Sequence, residues 1–416
     1  MTDRKSIWRW LFDFSLFALM LTIVFDPADL IVRAKVPLFC LVWLFAILIV
    51  FFDLDSHEVS LPLGLTLYAF TFALLLPLLS LTSFYLFQSG SVEVFEGVQV
   101  AKAFLFSSLC IPLSLVRARV MAPMAYVLTA LACTAIVLTI MVTDNTALSY
   151  QLWSMFVKYK NVSYTNRTYG PLSYESAYFP TAPLLIISIA YFTEQARRSS
   201  GFARKKFICL AALNAIGMIV EGTRNCILAG LLTPALVVWW HGNRRQKTAI
   251  AISALALTSV VLIFARTVVA EMFSLEEHGN LIRMIDFRDY MRIFSDPWVL
   301  MFGQGIGTYF NTSAYGRTYF TELMYLNAIR EWGLVGAIPL FLIMLYPLTA
   351  LRDHRVKERH YIFLAYLVYL GTCISDPFLF ASGGMCVFAI VVYHFYVVES
   401  RAIDVIPLRS TVSAAS

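Results

Sequence analysis

Charged residues are scarce in this sequence, and several long stretches contain none. Asp, Glu, Lys and Arg make up 14% of its 416 residues, whereas hydrophobic residues make up 59%. The stretch from Leu61 to Phe87, for example, carries no charge. About 20 apolar residues form a helix that crosses the hydrocarbon core of a bilayer, where backbone amides must be bonded internally. The sequence therefore argues against a water-soluble fold and predicts an all-α, polytopic integral membrane protein.

Cysteine is also sparse, and none lies in a predicted loop. Each of the seven occurs within an apolar segment, at positions 40, 110, 133, 209, 226, 373 and 386. This distribution supports neither a disulfide framework nor a metal motif.

No small-residue cleavage site follows the first apolar segment, residues 7–25, so we interpret that segment as an anchor and not as a removed signal peptide.

Hydropathy predicts about twelve transmembrane helices within one integral domain, residues 1–416. They cover approximately residues 7–25, 35–52, 62–86, 98–116, 122–142, 177–193, 207–220, 226–241, 248–270, 333–350, 360–376 and 380–398. The basic clusters then fall in loops on one side only, at 117–119, 197–206, 244–247 and 352–359. Such an excess marks the cytoplasmic side and places both termini there. Topology thus explains the net charge of +6, and we expect no nucleic-acid partner.

Two long loops fall on the outer side in this topology, at residues 143–179 and 271–331. Loops of this length are uncommon unless they are functional. Within the second loop, Met284, Phe287, Met291 and Phe294 recur at helical spacing, and Pro297 follows. The pattern predicts a short amphipathic helix, which either lies at the membrane surface or caps the bundle.

A short turn between two apolar runs places Glu221 and Arg224 at the outer face. Arg224 either extends toward lipid headgroups or binds a phosphate or pyrophosphate group through its planar guanidinium. Further along, Gly303, Gly305 and Gly307 alternate with other residues. They allow tight turns and close approach of the backbone to a ligand, or a turn that re-enters the membrane. A nucleotide-binding fold is excluded because no strand–helix unit surrounds them.

A carboxylate, Glu322, precedes the next apolar helix. It is spaced to share a helical face with Tyr325 and Ile329. A carboxylate at the low-dielectric boundary has a raised proton affinity, which suits a general base. The alternative is a salt bridge with an arginine of the loop.

Taken in order, these motifs resemble the superfamily of polytopic O-antigen ligases and polymerases. The resemblance covers roughly residues 170–350. The matching elements are Gly222-Thr-Arg224, Arg283 and Arg288, Pro297 followed by Gly303, Gly305 and Gly307, and Tyr325-Leu-x-x-Ile-x-Glu331-x-Gly333-Leu-x-Gly336. Where the ligases carry histidine and asparagine, this sequence has Glu322 and Leu323. A carboxylate at this position is more typical of the polymerases.

The resemblance implies a glycosyltransferase of the bacterial inner membrane that polymerises oligosaccharide repeats carried on undecaprenyl pyrophosphate. Glu322 would act as the base, and Arg224 would bind the pyrophosphate. The loop residues implied in substrate binding are Arg283, Arg288, Arg292, Arg317, Gly303, Gly305, Gly307 and Tyr325. Implied partners are the lipid-linked glycan, membrane lipid and a regulator protein of chain length.

No cofactor is implied. The outer side also lacks a D-x-D acidic motif, so we expect no metal requirement. Two alternatives remain open at this stage. One is an O-antigen ligase that transfers finished polymer to a lipid A core. The other is a flippase or transporter of the lipid-linked glycan, although transporters usually carry ionisable groups near the bilayer midplane and repeated halves.

Overall fold

A computed structural model describes residues 7–52, 61–87, 94–143, 162–169, 172–264, 278–319 and 321–403, with a few single positions between them. The described part is mostly helical. By length and composition, five of its helices are apolar enough to cross a membrane: Ile7–Phe25, Lys35–Phe52, Leu63–Thr82, Met121–Thr143 and Met324–Arg352. These helices support a membrane protein, and the number of twelve spans stays a prediction.

The helices of the first third follow the apolar runs closely. They are α1 (Ile7–Phe25), α2 (Lys35–Phe52), α3 (Leu63–Phe70), α4 (Leu76–Phe87), α5 (Val94–Phe104), α6 (Cys110–Val116) and α7 (Met121–Thr143). A π-helical turn at Thr71–Leu75 joins α3 to α4, and a 3-10 turn at Leu105–Leu109 joins α5 to α6.

The remaining helices alternate with the segments that carry the candidate site. They are α8 (Leu185–Arg198), α9 (Gly201–Val220), α10 (Arg224–His241), α11 (Arg244–Phe264), α12 (His278–Ile293), α13 (Pro297–Phe302), α14 (Met324–Leu345), α15 (His360–Thr372) and α16 (Ser382–Ile403). Three 3-10 segments lie at Ala182–Leu184, Tyr346–Arg352 and His354–Arg359.

Helix α8 lies at the centre of the bundle and packs against α7, α9, α10 and α15. Its buried Ser188 donates a hydrogen bond to Asn214 Oδ1 at 2.7 Å, and Asn214 Nδ2 donates to Thr129 Oγ1 at 2.9 Å. This chain of bonds joins α7, α8 and α9. Because polar groups buried in an apolar bundle are costly unless bonded, the network fixes how the three helices pack.

The predicted helical architecture is confirmed for most of the described residues, and two small antiparallel hairpins add to it. Strands β1 (Ser163–Tyr169) and β2 (Leu172–Tyr178) pair with Ser163 opposite Tyr178. Strands β3 (Phe310–Thr312) and β4 (Gly316–Thr318) form the second hairpin.

The first hairpin corrects the boundaries that we expected around it. The helix predicted from residue 177 begins at Leu185, because residues 177–178 belong to β2. Tyrosine, threonine and serine are frequent in the two strands, and tyrosine and threonine favour a pleated conformation. In the two predicted loops, residues 144–149, 155–161, 271–273 and 275–277 lie outside the described residues.

Candidate functional site

The turn between α9 and α10 connects the bundle to the second predicted loop. Glycine at 222 adopts a φ of +72°, which lets the chain reverse between the two helices. Glu221 is buried, and its Oε2 accepts a hydrogen bond from the Phe179 N–H at 2.8 Å. Arg224, the first residue of α10, donates from Nη1 to Asn280 Oδ1 at 2.9 Å. The turn is thereby tied to the start of α12.

One turn of α12 beyond Asn280, the side chain of Arg283 reaches the predicted base. Its Nη2 lies 3.0 Å from Glu322 Oε2, and both side chains are about one-third exposed, at 34% and 38%. The alternative for Glu322, a salt bridge with an arginine of the loop, is therefore present. Glu322 does not share a helical face with Tyr325, because α14 begins only at Met324 and Leu323 has non-helical dihedral angles.

Helix α12 buries its acidic side chains and exposes apolar and basic ones. Asp286, Asp289 and Tyr290 are buried, whereas Phe287 is 49% exposed and Met291 is 42% exposed. The predicted amphipathic helix is confirmed, and its exposed apolar face is the one that a membrane surface would cover. The inward face places Asp286 near Glu322.

Two buried side chains of α12 hold the loop that follows. Asp289 accepts hydrogen bonds from the Ser313 N–H at 2.6 Å and the Ser313 hydroxyl at 3.1 Å, which ties the β3–β4 hairpin to the helix. Tyr290 donates its hydroxyl to Asn327 Oδ1 at 3.2 Å and lies 3.0 Å from Thr321 Oγ1. These contacts fix the segment that carries Glu322.

A tyrosine at the end of β2 and an acidic residue after α15 complete the surroundings of Glu322. The Tyr178 hydroxyl donates to Asp376 Oδ1 at 3.5 Å. Burial, followed by the Asp376, Glu221 and Glu322 carboxylates among the nearby groups, raises the pKa of Tyr178 well above its usual value. Asn225 bonds the Ser375 hydroxyl, which holds the Asp376 turn against α10.

We call this group of side chains the polar cluster. Its members come from five separate segments and are Tyr178, Glu221, Arg224, Arg283, Asp286, Glu322 and Asp376. Sequence reasoning selected Arg224, Arg283 and Glu322 and did not select Tyr178 or Asp286. A signal for Asp286 was present, because it follows Arg283 by three residues and so shares its helical face.

The three alternating glycines have the backbone geometry that their pattern predicted. Gly303, Gly305 and Gly307 have φ values of +78°, +91° and +77°. The backbone N–H groups of this loop are nevertheless bonded within the protein. Gln304 N–H donates to the Arg330 carbonyl at 2.7 Å, and Gly305 N–H donates to the Glu331 carbonyl at 3.0 Å. The structure thus gives the glycines a packing role, and their contact with a substrate stays a prediction.

The loop docks where helix α14 is broken at Gly333, which has a φ of +63°. A Cβ at Gly303 would lie 2.5 Å from the Gly333 nitrogen, and a Cβ at Gly333 would lie 2.2 Å from the Met301 carbonyl oxygen. Only glycine fits at either position. The break leaves carbonyls without helical partners, and the glycine loop supplies their donors.

Arg330 stabilises the junction between the glycine loop and α14. It is not among the residues predicted from the sequence. Its fully buried guanidinium donates to the Thr308 carbonyl at 2.9 Å and to the Tyr319 carbonyl at 2.8 Å. It also lies over the Phe310 ring, 4.4 Å from the centroid. The sequence indicates a special role for Arg330 only through the charged pair that it forms with Glu331 within an otherwise apolar helix. The side chain joins α14, the glycine loop and the second hairpin.

The other predicted binding residues lie apart from the polar cluster. Arg288 is exposed, 3.9 Å from Met284 Sδ, and the exposed Arg292 lies 3.8 Å from Asp289. The Arg317 guanidinium stacks 4.9 Å from the Tyr309 ring centroid. Tyr325 donates its hydroxyl to the Leu370 carbonyl at 2.7 Å, a bond between α14 and α15. Among the predicted arginines, Arg224 and Arg283 are the two in the cluster.

Gly333→Ala is expected to lower the free energy of unfolding by about 2–4 kcal/mol, because it adds an atom against the Met301 carbonyl and forces a strained φ. The thermal midpoint of the purified protein in detergent measures this loss. Gly371→Ala is the control, since a Cβ there meets nothing within 4 Å. Equal midpoints for the two variants would contradict the docking geometry.

Comparison with protein-family models, with curated proteins and with solved structures finds no significant match to this chain. Interpretation of its function therefore depends on the order of its motifs and on the contacts of the polar cluster. Those contacts join residues that are as much as 198 positions apart in the chain, as between Tyr178 and Asp376.

Proposed function

We propose that this protein is a membrane glycosyltransferase that polymerises lipid-linked oligosaccharide repeats at the outer face of the bacterial inner membrane. The observation that carries the proposal is that α12 contacts both predicted residues, since its Asn280 bonds Arg224 and its Arg283, one turn further on, pairs with Glu322. A cation that can bind a diphosphate, Arg283, thus lies beside a carboxylate that can take a proton, and Arg224 is held at the start of the same helix. Displacement of a pyrophosphate leaving group by a hydroxyl needs both.

In the proposed reaction, a sugar hydroxyl of the acceptor attacks the anomeric carbon of the donor glycan. Its oxygen forms the new glycosidic bond as the bond from that carbon to the pyrophosphate breaks, with inversion. The hydroxyl proton passes to Glu322, a role that general bases fill. Arg224 and Arg283 bind the undecaprenyl pyrophosphate and stabilise the charge that develops on it. No step of this reaction calls on a metal ion or a cofactor.

The proposed topology has twelve spans, cytoplasmic termini and the polar cluster at the periplasmic side. The alternation of basic loops supports this orientation. It places the cluster where lipid-linked repeats are presented after transport. Charges gathered near one face, and halves that differ from each other, favour this proposal over a transporter.

The direct genetic test is a profile of surface glycans and lipid-linked intermediates from a deletion strain, complemented with wild type or with Glu322→Gln. A build-up of single-repeat carrier lipid, or one repeat on the lipid A core, is the expected result without the wild-type gene. Long polymer that stays on the carrier would identify a ligase. Repeats confined to the cytoplasmic leaflet would identify a transporter.

A further inference from the structure

Asp286 is a buried carboxylate with no bonding partner among the described residues. Its side chain has no exposed surface, and neither carboxylate oxygen has a hydrogen-bond partner there. A buried polar group left unbonded costs free energy, so its presence calls for an explanation. A purely structural carboxylate would be expected to bind a backbone N–H, as Asp289 does one turn away.

The groups that face Asp286 come from three segments. Arg283, Asp289 and Tyr290 lie on its own helix, Glu322 lies in the segment before α14, and Tyr315 lies in the β3–β4 hairpin. Burial, followed by Glu322 and Asp289, raises the pKa of Asp286 to about 6, and Arg283 opposes the rise.

Arg283 likewise has an unused donor. Its Nη2 meets Glu322, but its buried Nε has no hydrogen-bond partner in the described part of the chain. The contact with Glu322 is an ion pair without an aligned hydrogen bond, because Oε2 also lacks one. Arg283 therefore lies between two carboxylates. It forms an ion pair with Glu322 and no hydrogen bond with Asp286.

We propose that Asp286 is a positioning residue that takes over Arg283 from Glu322 when the pyrophosphate-linked donor binds. This inference rests on the proposed function. Arg283 and Asp286 are three residues apart on one helical face, within reach of each other by a change of side-chain conformation. The exchange keeps the guanidinium at the site while Glu322 becomes free.

The exchange explains how Glu322 can pair with Arg283 and also act as the base. A carboxylate paired with a guanidinium holds its charge more strongly and accepts a proton less readily. When Arg283 turns toward the pyrophosphate, its Nη groups bind phosphate oxygens and its Nε–H is donated to Asp286. Glu322 then accepts the proton of the attacking hydroxyl. Without donor, the Arg283–Glu322 pair keeps the base inactive.

The test compares Asp286→Asn with wild type in vesicles that contain lipid-linked repeats. We expect the maximal extension rate to fall about 10²-fold, as for misplacement of a catalytic group. Asp286→Glu restores part of the rate. Asp296→Asn is the control, since Asp296 is an exposed helix cap and asparagine caps equally well.

A stability measurement separates this role from a structural one. The pKa of Asp286 is raised from 3.8 to about 6 by folding, so the ionised carboxyl destabilises the fold above about pH 6 and has no such effect below about pH 4. Asp286→Asn should therefore raise the thermal midpoint at pH 8, and the gain should vanish toward pH 4. The proposal would be overturned if Asp286→Asn lowered both the thermal midpoint at pH 8 and the extension rate. A wild-type extension rate for this variant would overturn it as well.

The outcomes also distinguish this proposal from the proposed function. If the wild-type protein extends no repeats, the polymerase proposal fails. If wild type and Asp286→Asn extend repeats equally, only the role of Asp286 fails.

Discussion

Glu322→Gln is expected to lower the rate of chain extension by about 10²–10⁴-fold, the range that a positioned general base contributes. The amide has nearly the same shape as the carboxylate but does not accept the proton of the acceptor hydroxyl. The side chain is 38% exposed and its one recorded ion pair is partly open to solvent, so the loss of that pair costs little stability. Initial rates of extension in vesicles measure the effect.

A matched control for this variant lies on the first hairpin. Glu175 is exposed on β2, and Glu175→Gln makes the same chemical change outside the polar cluster. We expect it to extend repeats at the wild-type rate. A Glu322→Gln protein that keeps at least half of the wild-type rate would show that another group takes the proton.

Arg224→Ala is expected to reduce extension by about 10²–10³-fold, as does loss of one donor to a developing negative charge. The residue begins α10 and bonds Asn280 of α12, one helical turn before Arg283. Arg224→Lys should keep part of the activity, because it retains the charge but loses the planar pair of donors. Membrane levels of both variants should stay near those of wild type.

Arg33→Ala is the control for Arg224, since Arg33 is an exposed arginine in the connection between α1 and α2. It should leave the extension rate unchanged. If Arg224→Ala and Arg33→Ala have the same rate, Arg224 does not bind the leaving group, and the reading of this side chain as a lipid-facing arginine is preferred.

The sequence predicted the existence of α12 but not which face is buried. The spacing of Phe287 and Met291 indicated two faces, one apolar and one polar. In a water-soluble protein the apolar face would be buried. Here it is the exposed one, and Asp286 and Asp289 point inward. Hydropathy alone cannot distinguish burial in protein from exposure to lipid, because both environments are apolar.

The contacts of the site could not be predicted from the sequence for a different reason, because they depend on how distant segments pack together. A salt bridge between Glu322 and some loop arginine was one of two alternatives, but the choice of Arg283 depends on how α12 lies against the segment before α14. The alternate glycines predicted tight turns, and their positive φ values confirm this. Their docking on the break at Gly333 depends on a second glycine about 30 residues away, which no spacing rule connects to them.

The first hairpin was missed because its tyrosines have two interpretations. Tyrosine is common at membrane interfaces and also favours strands. Without knowledge of a partner strand, the segment 163–178 was expected to be a loop. Tyr178, at its end, therefore went unnoticed as a neighbour of Asp376 and Glu322.

The most direct test of the central claim is extension of lipid-linked single repeats by the purified protein. The repeats are isolated from the deletion strain, placed in vesicles with the wild-type protein, and followed by mass spectrometry. A ladder of carrier lipids with increasing numbers of repeats, absent with Glu322→Gln, is the predicted result. Single repeats that remain unextended, while the protein moves them across the bilayer, would contradict the account.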